Sequence, residues 1–280
     1  MITKKELIGA FKDIDGVSFQ IVEKNNGVKK LACRIKVEEP ATYAIVYFDD
    51  ILKQDTTIEQ FREWVSRLMV DVENVAIPKF YMAMSKAYVL ENVVACLINY
   101  EKNKLFLKYI PHRIFLDLAI IPRVMFKKHS DYYSSSIMTK NWCEKEGLDP
   151  DEVLDTAIEN VSVPQMYDIL SIEDLMNSTR EFGDTIYTGT NKVRTNGASI
   201  LLFSDILGAF ADKVDHDLWI AGSSIHEIML LFDDGNPKRG DILRDVLREV
   251  NRDRQCVKEE EILSDNLYHF DRKARKLSIA

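Results

Sequence analysis

The chain has 280 residues and is acidic, with 37 Lys and Arg against 45 Asp and Glu and a formal net charge of −8. This length favours two closely packed lobes, and the charge disfavours a surface that neutralises phosphates, so nucleic acid is not the expected partner. Apolar runs stay far below the roughly 18 residues of a membrane span, and four scattered cysteines without a C-x-x-C pair argue against zinc and disulfides. We therefore expect a cytoplasmic protein without membrane anchor, metal or cofactor.

The N-terminal part predicts the element order α-β-β-β-α. Apolar residues at helical spacing predict an opening helix over 3–14. Two extended runs flank Asn25-Asn26-Gly27, which is the strongest hairpin signal in the chain because Asn-Gly accepts positive φ angles, and 43–48 adds a third strand. Thr57 and Gln60 match a capping box at the start of a second helix.

The middle of the chain predicts alternating strands and helices. A short strand at 80–84 precedes a helical region with a possible break over 87–109. The dense apolar run 114–125 predicts a buried strand, with 134–139 as its neighbour. Asp149-Pro150 has the residue types of an N-cap and a first helical position, so another helix starts there.

The last hundred residues predict a second lobe. Residues 178–183 mark the boundary, which gives lobes 1–180 and 181–280. The second lobe is predicted as β-β-α-β-β-α-β, with strands at 186–189 and 198–203 around a polar Asn-Gly turn. The fold class is therefore α+β, with two closely packed lobes that are each a mixed or antiparallel sheet covered by helices.

Six segments carry a family resemblance by their order and spacing. They are N-Y-E-K-N (99–103), P-H-R-I-F-L-D-L-A-I (111–120), N-G-A (196–198), S-S-I-H-E (223–227), R-E-V-N (248–251) and L-S-D-N-L-Y-H-F-D-R (263–272). Through them the chain resembles the DUF5688 family, uncharacterised proteins of anaerobic gut bacteria and their mobile elements. The chain departs from the family pattern at Gly222, where Pro is usual, and at Thr195, where a hydrophobic residue is usual. The resemblance implies a bacterial, mobile-element setting and supplies no activity.

A nucleophile, a base and an acid lie close together in the second lobe, at Ser223, Ser224, His226 and Glu227. On a strand, His226 and Glu227 point to opposite faces, so Glu227 cannot orient the imidazole as the acid of a triad does. That acid would have to come from elsewhere, such as Asp117 or Asp217. In the structural interpretation the serines cap a turn and His226 is hydrogen-bonded at the sheet edge.

Asp117 lies within I-F-L-D-L-A-I-I, where a carboxylate must be paired, protonated or directed into a cavity. Arg113 lies four residues away on the same predicted strand face, and His112 is near, so we expect a structural ion pair before a functional carboxylate. The histidines never fall at metal-binding spacing, and phosphate-loop motifs are absent from the sequence. The basic tail 269–276 is interpreted as a solvated, disordered end.

Our leading hypothesis is a non-enzymatic protein that binds another protein or a small ligand, with a regulatory role or a role in defence against phage. The binding candidates are Asn196, Ser223, Glu227, His112 and Arg113. The alternative is a hydrolase of a small or nucleotide-like substrate that uses Ser224 and His226, with Asp117 in support. In a third hypothesis the basic tail binds nucleic acid. The oligomeric state stays open.

Overall fold

The computed structural model describes residues 4–11, 14–37, 42–47, 57–74, 85–128, 133–172, 186–236 and 238–280. The chain forms two compact units, Met1–Ser85 and Lys86–Ala280. The sheets in the described residues are antiparallel and helices accompany them, so the α+β class is confirmed. The strand predicted at 80–84 lies outside the described residues.

The first unit has the predicted order α-β-β-β-α in the residues that the structure describes. Its elements are α1 (Lys4–Ala10), β1 (Val17–Glu23), β2 (Lys29–Val37), β3 (Thr42–Tyr47) and α2 (Ile58–Asn74). Asn26 and Gly27 adopt φ angles of 61° and 72°, and the N–H of Lys24 donates to the carbonyl of Val28 at 2.7 Å, which closes the β1–β2 hairpin. The predicted hairpin is therefore confirmed together with its turn chemistry.

The start of α2 and the core beneath it also follow the sequence pattern. The N–H of Thr57 donates to Gln60 Oε1 at 2.9 Å and the N–H of Gln60 donates to Thr57 Oγ1 at 3.2 Å, which is the reciprocal capping box. Phe61 then contacts Phe11 edge-on, with ring centroids 5.2 Å apart. Phe11 also contacts Phe19 of β1, so this small core joins both helices to the sheet.

The second unit begins with a four-stranded antiparallel sheet. Its elements are α3 (Lys86–Asn92), β4 (Val93–Asn99), α4 (Lys104–Leu107), β5 (Arg113–Phe115), β6 (Leu118–Lys128), β7 (Tyr133–Ile137), α5 (Lys140–Glu146) and α6 (Pro150–Asn160). The long strand β6 pairs with β4 on one side and with β5 and β7 on the other. Asp149 caps α6 by accepting from the N–H of Asp151 at 2.8 Å, as predicted.

Two predictions in this region are wrong. The helical region predicted over 87–109 has helices at its two ends but contains strand β4 between them. Both faces of β4 are buried, and its unbroken apolar run hides the period of two. The single strand predicted over 114–125 is a hairpin, because Leu116 adopts φ 55° and turns the chain. The predicted neighbouring strand at 134–139 is confirmed as β7.

The rest of the second unit is a six-stranded antiparallel sheet in the order β13-β12-β10-β11-β9-β8. Its elements are β8 (Tyr167–Ser171), β9 (Tyr187–Asn191), α7 (Ser204–Val214), β10 (Leu218–Ala221), β11 (Ile228–Phe232), α8 (Arg239–Arg252), β12 (Leu267–Asp271) and β13 (Lys276–Ile279). The predicted boundary at 178–183 lies outside the described residues. Strands β8 and β9 flank it and pair in one sheet.

Two further corrections concern this sheet. The strand predicted over 198–203 is the 3₁₀ helix Gly197–Leu202, whose residues are nearly all buried, so its short apolar run carried no usable period. The tail 269–276, interpreted as disordered, instead runs from the end of β12 to the first residue of β13, and these two strands pair. Both elements are short, and tertiary contacts decide their conformation.

One apolar core unites the second unit. Leu97 and Ile120 of the four-stranded sheet and Ile220 and Tyr268 of the six-stranded sheet all belong to it, together with residues of α6 and α7. A second cluster on the opposite face of the four-stranded sheet packs Cys96 and its neighbours against the chain around α4. The larger cluster therefore joins the two sheets of the second unit in one core.

Candidate functional site

Polar side chains of the second unit gather in two clusters. The His226 cluster lies where β11 begins, and the Asp117 cluster lies at the turn between β5 and β6. A single segment, 261–264, joins them by pairing with 222–225 through main-chain hydrogen bonds of 2.8 to 3.2 Å. The segment runs from Glu261 beside His226 to Ser264 beside Asp117.

The His226 ring is engaged on both sides. Its Nδ1 accepts a hydrogen bond from the N–H of Asn196 at 3.2 Å, and its Nε2 lies 4.0 Å from Glu261 Oε1. Because Nδ1 accepts, the proton of the neutral ring is on Nε2 and points toward the carboxylate. Ser224 Oγ accepts from the main-chain N–H of His226 at 3.0 Å, so this hydroxyl caps the turn.

The electrostatics favour a neutral imidazole. Burial lowers the pKa of His226 below its ordinary value, and Arg123 and Lys258 act in the same direction. The carboxylates of Glu261 and Glu227 oppose this shift and are outweighed by burial. A neutral ring can accept from Asn196, whereas an imidazolium has no acceptor left.

The Asn-Gly pair lies at the start of the 3₁₀ helix, and close approach of the backbone requires its glycine. Asn196 adopts the left-handed region at φ 55°, which asparagine tolerates. A Cβ atom on Gly197 would lie 2.3 Å from Thr190 Oγ1 and 2.5 Å from the carbonyl oxygen of His226. Only glycine fits there, because the Thr190 hydroxyl donates to that carbonyl at 2.8 Å.

The loop at 192–195 is tied down from both ends. The Asn191 side chain accepts from the N–H of Thr195 at 3.1 Å and donates to the carbonyl of Thr195 at 2.8 Å, as a strand partner would. The N–H of Arg194 donates to the carbonyl of Asn191 at 2.9 Å, and the N–H of Lys192 donates to the carbonyl of Met166 at 2.8 Å. These bonds restrain the main chain of the loop.

Two buried hydroxyl groups are hydrogen-bonded in series to Asn196, the residue directly after this loop. The Tyr167 hydroxyl lies 2.9 Å from Ser199 Oγ, and Ser199 Oγ donates to the carbonyl of Asn196 at 3.1 Å. Burial raises the pKa of Tyr167 to about 12. The phenol therefore stays protonated and acts as a fixed hydrogen-bonding group.

The Asp117 carboxylate accepts three side-chain hydrogen bonds. Oδ2 accepts from Ser264 Oγ at 2.6 Å and from Asn266 Nδ2 at 3.0 Å, and Oδ1 accepts from the Tyr268 hydroxyl at 2.7 Å. Burial raises the pKa of Tyr268, and the adjacent Asp117 carboxylate adds to that effect. The carboxylate is half-buried, and its charge is matched by these three donors.

Two side-chain amides donate hydrogen bonds to the residues at 263–265. Asn99 Nδ2 donates to the carbonyl of Leu263 at 3.0 Å. Asn251 Nδ2 donates to the carbonyl of Ser264 at 2.9 Å and to Asp265 Oδ1 at 2.8 Å. Side chains from β4, α8 and the β5–β6 turn therefore meet at one segment before β12.

The predicted ion pair of Asp117 with Arg113 is not formed, because the β5–β6 turn separates their side chains. Arg113 instead contacts Asp155 Oδ1 at 3.0 Å in an exposed salt bridge. His112 Nδ1 lies 2.9 Å from the carbonyl of Ile110, so this ring holds its own turn. Asp117 and His226 are brought to the same segment, but about 10 Å of extended chain separates their contacts on it.

The other predicted site residues divide between main-chain and surface roles. The carbonyl of Ser223 accepts from the N–H of Leu263 at 3.2 Å, whereas Glu227 is exposed. Glu261 was missed by sequence reasoning, since it lies in the run Glu259-Glu260-Glu261, which resembles an ordinary charged surface. Its position two residues before the L-S-D-N segment was the available signal.

A family model described as a family of unknown function, DUF5688, matches residues 3–272. The chain belongs to the DUF5688 family. Neither the curated proteins nor the solved structures contain a match to this DUF5688 protein.

The residues through which the chain resembles DUF5688 supply most of both clusters. Asn196 and His226 come from two of the six segments, and Asn99, Asp117 and Asn251 come from three others. In the part of this DUF5688 protein that the structure describes, His, Cys, Asp and Glu side chains form no group of three that could hold a metal ion. Helices long and apolar enough to cross a bilayer are likewise absent from the described residues.

Proposed function

We propose that this DUF5688 protein acts by binding another protein, and that it does so through the loop at 192–195. One observation carries the proposal: the polar side chains of the His226 cluster are used to hold the main chain of this loop and its flanks. A site built for catalysis leaves a nucleophile and a base free to meet a substrate. Here His226 accepts from the residue after a displayed loop, and the Ser224 hydroxyl caps the turn at His226.

The displayed surface combines two cations with apolar side chains. Lys192 and Arg194 are exposed, and neither forms a salt bridge with the residues that the structure describes. Val193 between them is 39% exposed, and Met166, bound to Lys192 through the main chain, is 37% exposed. Such a surface fits an acidic segment that also offers an apolar side chain.

The rigidity of the loop favours binding. A loop that is free before binding loses main-chain conformational entropy when it binds, about 1–2 kcal/mol for each residue fixed. The bonds from Asn191 and the contact of Asn196 with His226 restrict the main chain before any partner arrives. In the bacterial cytoplasm, and in the mobile-element setting that the family resemblance implies, a binding protein of this kind would serve regulation or defence against phage.

The test of this function is a pull-down from a lysate of the source organism. It compares the proteins that bind to the immobilised wild type and to two variants. The double variant Lys192→Glu/Arg194→Glu reverses both loop charges, and Lys213→Glu/Lys273→Glu changes two exposed cations elsewhere in the second unit. We expect a partner that the wild type and the control variant retain and that the loop variant loses, with at least tenfold weaker binding of the purified partner. Equal retention by all three proteins would contradict a role for the loop.

A hydrolase is the second candidate, and the His226–Glu261 pair is the observation that favours it. An acid facing Nε2 could orient the imidazole, although Nδ1 is occupied by Asn196. A serine-directed fluorophosphonate distinguishes the two functions. Labelling of Ser223 or Ser224 that disappears in His226→Ala would support the hydrolase, whereas the binding function predicts no labelling of the wild type.

A further inference from the structure

One edge of the six-stranded sheet, that of β13, has main-chain groups without a strand partner among the described residues. Within the residues that the structure describes, β13 pairs with β12 alone. The N–H of Ala280 donates to the carbonyl of Leu267 at 2.9 Å, and hydrogen-bonded pairs alternate along an antiparallel ladder. Ser278 therefore bonds toward β12, whereas Leu277 and Ile279 direct their N–H and C=O groups outward. An edge of this kind can accept another strand.

The side chains next to these groups are apolar. Leu277 lies opposite Phe270 in the ladder and packs against the main core. Ile279 lies opposite Tyr268 on the same face and is 44% exposed. The Tyr268 hydroxyl reaches the β5–β6 turn at Asp117, directly after Leu116, which is also exposed. The residues that carry the outward groups therefore have apolar side chains, and that of Ile279 is exposed.

We propose that β13 is a dimerisation edge, where it pairs antiparallel with β13 of a second copy of this chain about a twofold axis through Ser278. In this register Leu277 of each copy lies opposite Ile279 of the other, and the outward groups of both residues form four main-chain hydrogen bonds. A twofold interface must be complementary to itself, and this register meets that condition. Lys276 lies opposite Ala280, so like charges do not face each other.

The small area of the contact between the two β13 strands limits the affinity of the dimer. Pairing of two four-residue strands buries much less than the roughly 1,200 Å² of a standard interface, so we expect a reversible dimer with a dissociation constant of roughly micromolar or weaker. Strand β9, which leads into the loop at 192–195, lies near the other edge of the sheet. The dimer therefore carries two displayed loops and can bind a partner with two acidic segments more tightly than the monomer can.

The test uses sedimentation velocity of the full chain over a concentration series. Ile279→Pro removes an outward N–H and is compatible with an edge strand, whereas Ser278→Pro removes an N–H that bonds to β12. We expect the wild type to dimerise as its concentration rises. Ile279→Pro should weaken the dimer at least tenfold with a melting temperature near that of the wild type, and Ser278→Pro should lower the melting temperature.

The outcomes are distinct. A wild type that stays monomeric up to millimolar concentration would overturn the second copy as the occupant of the edge. Dimerisation of Ile279→Pro at the wild-type concentration would overturn the position of the interface. If Ile279→Pro fails to fold, Ile279→Asp replaces it, since an exposed carboxylate at this position opposes pairing without changing the backbone. These measurements do not depend on the loop variants.

Discussion

Gly197 stands where three groups of the His226 cluster converge, and it yields the first prediction. An alanine there would place its Cβ 2.5 Å from the His226 carbonyl and 2.6 Å from the Asn191 nitrogen, which are main-chain atoms that cannot move aside alone. We expect Gly197→Ala to lower the free energy of unfolding by about 3 kcal/mol, measured by urea denaturation.

Gly222→Ala is the matched control for this prediction. Its added Cβ would meet side-chain atoms of Leu263 at 3.1 Å and of Tyr268 at 3.4 Å, and these can shift by a few tenths of an ångström. The cost should stay below about 1 kcal/mol. Equal losses in the two variants would show that the close approach at Gly197 is not what demands glycine.

His226 gives a prediction about pH. Its folded-state pKa lies below the ordinary value of 6.5, so the unfolded chain binds this proton more tightly. Stability from the neutral ring is therefore complete above about pH 6.5 and is lost as the pH falls through the lower, folded-state pKa. We expect the free energy of unfolding of the wild type to fall between pH 7.5 and pH 5.

The variant His226→Asn isolates the contribution of the ring. An asparagine carbonyl can accept from the N–H of Asn196 in place of Nδ1 and does not titrate in this range. The loss between pH 7.5 and pH 5 should therefore be smaller in the variant, with Glu261, Glu227, Arg123 and Lys258 contributing alike to both proteins. An unchanged pH dependence would remove His226 as its source.

At the scale of the element, local chemistry was predictable and tertiary choices were not. The β1–β2 hairpin and the caps at Thr57 and Asp149 follow from a few adjacent residues, and the structure has all three. Strand β4 was predicted as helix because both faces are apolar, and the helix Gly197–Leu202 was predicted as strand because its run is short. In both cases burial outweighs local preference.

The sequence pointed to some members of the two clusters and not to their contacts. Sequence reasoning selected Asn196, Ser224, His226 and Asp117, but it joined Asp117 to Arg113 because a strand was expected there. The actual partners of Asp117 are 147 to 151 residues away along the chain. Periodicity and spacing carry no information at that separation, so such contacts had to come from the structure.

The contacts of Asp117 predict that the β5–β6 turn stabilises strand β12 and the segment before it. In Asp117→Ala the hydroxyls of Ser264 and Tyr268 and the amide of Asn266 lose their common acceptor. We expect a loss of about 3 kcal/mol in the free energy of unfolding. Relative to the wild type, amide hydrogen exchange should accelerate more in β12 than in β1.

Asp155→Ala is the control, because it removes the exposed salt bridge that Arg113 actually makes. Its effect should stay under about 0.5 kcal/mol. If the two aspartate variants lost similar stability, the three donors around Asp117 would not be the reason for the larger cost.

For the whole molecule, the position of the folding boundary is the remaining question. Residues 86–280 share one core and form one compact unit, whereas the sequence predicted lobes that meet at residue 180. A fragment 181–280 loses the β8 partner of β9 and the Asp117 acceptor of Tyr268. A fragment 86–280 keeps both.

We therefore expect the fragment 86–280 to fold alone and the fragment 181–280 to stay largely unfolded. Circular dichroism and dispersed amide resonances measure this directly, and the melting temperature of 86–280 should lie within a few degrees of the matching transition in the full chain. Cooperative folding of 181–280 would instead restore the division at residue 180. A buried Tyr268 hydroxyl without its acceptor costs about 1–3 kcal/mol. Folding of this fragment would therefore also show that the fragment tolerates the loss of the hydrogen bonds across that division.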